Sequence, residues 1–271
     1  MTDTAARPGS ILGTRVTRTE DPSLLTGAAQ YVDDLGLTNP LHAVFARSDI
    51  AHGTINSIDI AEATALPGVV AVVTAADLGI APHHGFAPVH DDFKRPPLAD
   101  GTVRFVGEPI AVVPAATAAL GEAAAQLIWA DIDPLPAIID MEAALTAAAQ
   151  PIFPAHGDNQ AIRTVGSDRS DPSGAEHVVR GRYINQRVAV VPIEPDRAAA
   201  EMDDRGRIKL YASTQMPHAL HGQLAGALGI AKDEIHVVTP QVGGGFGGKA
   251  GLMAEHVVIS ALTKRFARPV V

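Results

Sequence analysis

The sequence predicts an α+β fold in two parts. Three observations predict it. Short runs rich in β-branched residues alternate in polarity as half-buried strands do, helical patterns lie between them, and residues 146–176 shift to Pro, Gly, Ser, Asp and Asn without a sustained apolar period. The 271 residues are 46% hydrophobic, enough to bury a core.

In the first part, residues 2–14 read as a loose leader and residues 18–27 as an ordered, turn-rich surface segment. Residues 41–47 and 53–60 alternate as strands, residues 61–65 form a short helix stopped by Pro67 and Gly68, and residues 69–74 are apolar throughout, as a buried strand is. Residues 103–105 and 109–113 read as a strand pair around Gly107 and Glu108. Residues 117–129 then form a helix by propensity, and a second helical pattern at 141–149 closes the part. Beyond 146–176, residues 177–184 and 197–202 read as strands. Residues 203–206 turn the chain into an alternating run at 207–213, completing a hairpin. Residues 217–228 are a helix with Pro217 in the first turn and Gly229 at its end. A strand at 234–240 leads into a glycine run, and a last helical pattern begins near Leu252.

The glycine run organises the second part. Residues 243–248 hold five glycines in six positions around Phe246, and Lys249 follows. Backbone without Cβ atoms can approach a ligand closely and turn several N–H groups on an anion or oxo group, and a helix N-terminus behind would add more. Gly243, Gly245 and Gly248 spell a dinucleotide fingerprint, but no acidic residue follows between Val257 and Val271 to hold a ribose. Gly243, Gly248 and Lys249 fit a P-loop, but Ala250 has no hydroxyl for Mg²⁺. Gln215 ends the preceding strand, where its carboxamide can donate to an oxo group or accept from a ligand N–H. His218 and His221, i and i+3 on a helix, lack a third ligand and read as helix surface. Glu194 and Asp196 flank Pro195 either as an acid–base pair or as turn residues. His83, His84, His90, Asp91 and Asp92 match no ligand spacing and read as solvated loop residues.

Composition excludes several classes. The formal charge is −9, without a run of Lys or Arg longer than two, which argues against nucleic acid and an anionic membrane surface. No cysteine is present, so this chain holds no disulfide, thiolate-bound zinc or iron–sulfur cluster. Neither a signal peptide nor a spanning segment is evident, and a cytoplasmic address is expected.

Several motifs in one order are similar to those of a known family. Residues 18–22 with 25–27, then 31–34, 105–109, 193–195, 213–215 and 243–249, resemble the molybdenum-binding large subunit of the xanthine dehydrogenase, aldehyde oxidase and aerobic carbon monoxide dehydrogenase family. The resemblance runs from about Gly13 to the last residue and covers the N-terminal portion of such subunits. It implies a hammerhead α/β domain over 13–145, a linker over 146–176 and a partial molybdopterin-binding α+β domain over 177–271. The family glutamine near an oxygen ligand of molybdenum falls on Gln215, and the phenylalanine whose backbone lies beside the metal falls on Phe246. Gly244, Gly245 and Gly247 would join these two in approaching the cofactor. That cofactor would be molybdenum–molybdopterin, the cytosine dinucleotide form included, shared with further sequence or a partner chain.

The implied reaction is hydroxylation of a small aldehyde, N-heterocycle or carbon monoxide class substrate by water-derived oxygen, with electrons leaving through iron–sulfur and flavin subunits. Ala250 stands where xanthine-type members carry a glutamate, which argues against purine recognition of that kind. The general-base glutamate would lie in sequence beyond Val271. The chain is therefore expected to be inactive until that portion, or a second chain completing the subunit, is supplied. The alternative is a non-catalytic subunit-docking module or truncated remnant.

Overall fold

The computed structural model describes residues 15–164 and 174–271. The predicted leader lies outside them. In the first part, β1 (His42–Arg47), β5 (Pro109–Ala115) and β3 (Val73–Thr74) form an antiparallel sheet in the order β1-β5-β3. All seven residues of β5 are buried. The helix α4 (Ala118–Ala125), capped by the Thr117 hydroxyl accepting from Leu120 N–H, packs on β1 and β5. It comes close because of Gly121, where a Cβ would meet Val44 Cγ2 at 2.6 Å.

A second sheet orders β4 (Thr102–Val103), β2 (Gly53–Asp59) and β6 (Trp129–Pro134). Short helices α1 (Asp21–Leu25), α2 (Ala61–Ala65), α3 (Ala75–Leu78) and α5 (Met141–Ala144) complete this part.

The second part is a hairpin of β7 (Ala198–Met202) and β8 (Ile208–Ala212), with β9 (Ile235–Val238) parallel to β8. A parallel pair needs a crossover, and α6 (Pro217–Leu228) provides it, ending at Gly229 in the left-handed conformation. The last helix, α7 (Ala254–Phe266), buries Val257, Val258 and Leu262 against β7 and β8.

One core joins the two parts. Leu41, Val73, Leu98 and Val112 of the first cluster with Leu210, Leu220, Leu224 and Leu262 of the second. Backbone continues the join: Val270 bridges Leu41 on one side and Ala200 on the other, with N–H to O distances of 2.8 Å at each exchange.

Five expectations are corrected. Residues 103–105 and 109–113 are not a pair: β4 joins β2, β5 joins β1 and β3, and Gly107, at φ 89°, carries the chain between the sheets. The helix expected to Trp129 stops at Ala125, because residues from Trp129 pair with β2 and tertiary pairing overrides propensity. The helix expected over 141–149 covers only Met141–Ala144. The run 69–74 is a strand only at Val73–Thr74: Pro114 of β5 accepts from Val70 N–H but has no N–H to return, so the ladder breaks there. Finally, residues 177–184 form no strand, since no neighbouring backbone within the described residues pairs with them.

Candidate functional site

The glycine loop folds back on the end of β8 and is held from both sides. On one side Gln215 donates its backbone N–H to Lys249 O at 2.9 Å, while its side-chain Oε1 accepts from Gly247 N–H at 2.9 Å and Lys249 N–H at 3.3 Å. On the other, Glu194 Oε2 accepts from Gly243 N–H at 2.6 Å and from Lys249 Nζ at 2.7 Å. Lys249 is 2% exposed, so this is an ion pair nearly out of water. Thr214 Oγ1 donates to Lys249 O at 3.2 Å, tying the loop to the strand end once more.

The glycines divide by purpose. Gly243, Gly245 and Gly248 are small because protein fills the space: a Cβ would run into Glu194, Gln215 or Val190 respectively. Gly247, at φ 87°, faces open space. Among the described residues, the N–H groups of Gly244, Gly245 and Phe246 donate to no protein acceptor, leaving three consecutive donors beside Gln215. With Oε1 engaged by two loop amides, the Gln215 carboxamide keeps its NH₂ free of those bonds; this assignment of oxygen and nitrogen follows from the hydrogen-bond network. The carboxamide oxygen is thereby committed to the loop, and the NH₂ is the group left over.

Phe246 is 76% exposed, its ring lies beside Gly244, and its backbone takes φ 50°, an uncommon conformation for a residue with a Cβ. Two site readings change. The helix behind the loop gives no anion site, because α7 starts only at Ala254 and its first turn holds Glu255, paired with Arg47 at 2.7 Å. Glu194 and Asp196 are not an acid–base pair, since Glu194 is committed to Lys249 and Gly243. Asp196 instead lines a separate cleft of about 530 Å³ with Phe45, Arg47, Glu108 and His256. Burial pushes the Asp196 carboxyl up, against the lowering influence of Lys249. His256, 3% exposed, accepts from Met253 N–H through Nδ1, and burial holds it down to about 4. His221 tethers α6 by contacts of its Nε2 with Lys232 O and Ile235 O, at 2.8 and 3.2 Å.

The Glu194–Lys249 clamp is the feature that reading by residue missed. Its signal was a lysine directly after a glycine run, with an isolated glutamate fifty-five positions earlier. Pairing the two required the fold.

Comparison with known proteins follows these landmarks. Residues 26–136 match the aldehyde oxidase and xanthine dehydrogenase a/b hammerhead domain, and residues 153–271 match the molybdopterin cofactor-binding domain. The chain belongs to the molybdenum-binding large-subunit family of xanthine dehydrogenase and aldehyde oxidase. It is 36% identical to the nicotine 6-hydroxylase large subunit of Paenarthrobacter nicotinovorans, over 96% of this chain and 33% of that protein. The carbon monoxide dehydrogenase large chain of Afipia carboxidovorans is 33% identical, over 91% of this chain and 32% of that one. Quinoline 2-oxidoreductase from Pseudomonas putida 86 superimposes with a TM-score of 0.87 at 37% identity, covering 95% of this chain and 34% of that one. The chain thus spans about a third of the length of the relatives it matches. Among the described residues, no helix is long and apolar enough to cross a membrane.

Proposed function

We propose that this chain forms one wall of the cofactor site in a molybdenum hydroxylase that oxidises a small molecule of the aldehyde, N-heterocycle or carbon monoxide class. The observation that carries the reading is Gln215: two loop amides fix its oxygen, so its NH₂ and the free N–H groups of Gly244, Gly245 and Phe246 make one rim of donors. Such a rim fits the oxo and phosphate groups of a molybdenum–molybdopterin cofactor, which we assign here in its cytosine dinucleotide form. When bound, that group would supply two-electron oxidation at the metal. The chain's own contribution is positional: the Glu194–Lys249 pair holds the loop, the loop holds Gln215, and Gly247 leaves room for the group to approach. The nicotine- and quinoline-acting relatives favour an N-heterocycle among the three substrate classes. We also propose the division into a hammerhead domain at 13–145, a linker at 146–176 and a partial cofactor domain at 177–271.

A companion polypeptide is part of the reading. Val179, Tyr183, Val191 and Ile193 are each at least 79% exposed in a segment without strand partners, and the chain spans about a third of its relatives' length. We therefore assign that segment to contact with the remainder of a large subunit, supplied by further sequence or a second chain, and the electron acceptors to iron–sulfur and flavin subunits.

The test is metal and pterin analysis of the chain purified with the products of its neighbouring genes. Molybdenum and pterin in equal amounts, with cytidine monophosphate released on hydrolysis, are expected. Absence of both, with the companions present, would overturn the reading in favour of a cofactor-free docking module.

A further inference from the structure

Away from the glycine loop, two loops distant in sequence bring two imidazoles and a carboxylate together. Asp92 Oδ2 lies 3.0 Å from His90 Nδ1 and 3.3 Å from His156 Nδ1, and ligand atoms of all three residues lie within 4.8 Å of one another. Ligand atoms on one tetrahedral zinc ion, each about 2.0–2.1 Å from the metal, sit about 3.3 Å apart. We propose that His90, Asp92 and His156 bind a divalent transition-metal ion of the zinc class, fastening the segment after residue 152 to the loop before β4. The inference does not depend on the molybdenum reading.

Charge around Asp92 supports it. Among the described residues no Lys or Arg pairs with Asp92: Lys94 is taken by Asp91 at 3.0 Å, as is His84 at 3.1 Å, and Arg104 lies over the Phe153 ring. Among the described residues the carboxylate meets only the two imidazoles. His90 Nδ1 also accepts from Asp92 N–H at 3.3 Å, and a ring nitrogen has either a proton or a lone pair, never both. With the proton on Nδ1, that cap is lost. With the lone pair there, it faces carboxylate lone pairs at 3.0 Å. A cation takes the lone pair and the carboxylate together, replacing one long cap bond.

The second layer is also in place. His156 Nε2 lies 3.4 Å from Asp158 Oδ1, the carboxylate on the far nitrogen that commonly orients a metal-bound imidazole. Phe93 packs on the His156 ring at 4.5 Å between centroids, fixing its plane. Two nitrogens and one oxygen suit Zn²⁺ and its Ni²⁺, Co²⁺ and Cu²⁺ competitors, and do not suit Ca²⁺ or Mg²⁺, which want oxygen alone. Sequence could not show this, because His156 stands sixty-four positions after Asp92.

The test uses the full chain, stripped by chelator and titrated with Co²⁺ followed by its visible bands, then with Zn²⁺ in competition. One tight equivalent is expected, with tetrahedral band intensity. His90→Ala and Asp92→Asn should each weaken it at least tenfold, and Asp158→Asn about tenfold. His218→Ala, on the exposed face of α6, should change nothing. The His90 side chain is 60% exposed, so that variant folds even if substitution of His156, packed on Phe93, does not. No saturable equivalent, or an equivalent that survives in both His90→Ala and Asp92→Asn, overturns the proposal.

Discussion

Two runs that read as strands in the sequence meet opposite fates in this chain. Pro109–Ala115 is paired on both sides, by β1 and β3, and every residue in it is buried. Residues 177–193 hold eight Val, Ile and Tyr side chains against three in β5, yet among the described residues no backbone pairs with them, and Val179, Tyr183 and Ile193 stand in solvent. The difference teaches that a strand is a property of its neighbours. β-Propensity expresses how well a side chain suits a pleated, half-buried surface, and without that surface the tendency has nothing to act on. The unpaired run makes an exposed ion pair of Arg182 with Glu142 at 2.7 Å and is anchored at its end, where Glu194 meets Lys249 and Val190 packs against Gly248.

That anchor is the sharpest place to break the comparison. Lys249→Met leaves Glu194 without its counter-charge at a nearly dry site, and a loss of about 3–5 kcal/mol in urea unfolding is expected. A loss below about 1 kcal/mol would mean the pair behaves as a surface pair, and the run would then be unanchored throughout.

The paired side carries its own pH signature at His256, in the first turn of α7. Its folded-state value, about 4, lies below the ordinary 6.5, so the unfolded chain binds the extra proton between those two values. The stabilisation is present above pH 6.5 and is lost as the pH falls through 4, on the order of 3 kcal/mol in all. Asp196, pushed up by burial, acts in the opposite sense. Comparing pH profiles of the native chain and His256→Gln isolates the histidine, whose variant should lose the falling limb.

A smaller effect is expected within the loop. Gly245→Ala places a Cβ 2.5 Å from the Gln215 carboxamide and should destabilise by about 1–3 kcal/mol, with loss of molybdenum from the assembled protein. Retained metal at native level would remove Gln215 from the cofactor site. The smallest effect belongs to the unpaired run: Ile193→Ser should change the stability of the chain alone by less than about 0.5 kcal/mol, yet weaken capture of the companion polypeptide. A large stability loss would show that Ile193 already packs within this chain.

Much of the fold was legible. Pro217 and Gly229 bound α6 because proline suits a first helical turn and glycine the left-handed residue that ends a helix. The turn at 203–206 is written in Asp and Gly, and the hairpin follows it. The glycine loop and Gln215 were singled out from the sequence, and the fold brings them within hydrogen-bond distance. The strand at Trp129–Pro134 was not legible, because Ala, Gln and Leu before it carry the helical tendency onward and only pairing with β2 interrupts it. Nor was the meeting of His90 and Asp92 with His156, which stands on a loop far along the chain.

By itself the sequence determined where chain direction changes, which runs are apolar, and which family the motifs belong to. These are local matters of backbone freedom and side-chain type. The tertiary structure alone decided which apolar run is a strand, which way Gln215 turns its amide, and that Lys249 and Glu194 share one buried charge pair. Each of those depends on atoms brought together from far along the chain, and a hydrogen bond, a ladder or an ion pair exists only when its partner is in reach.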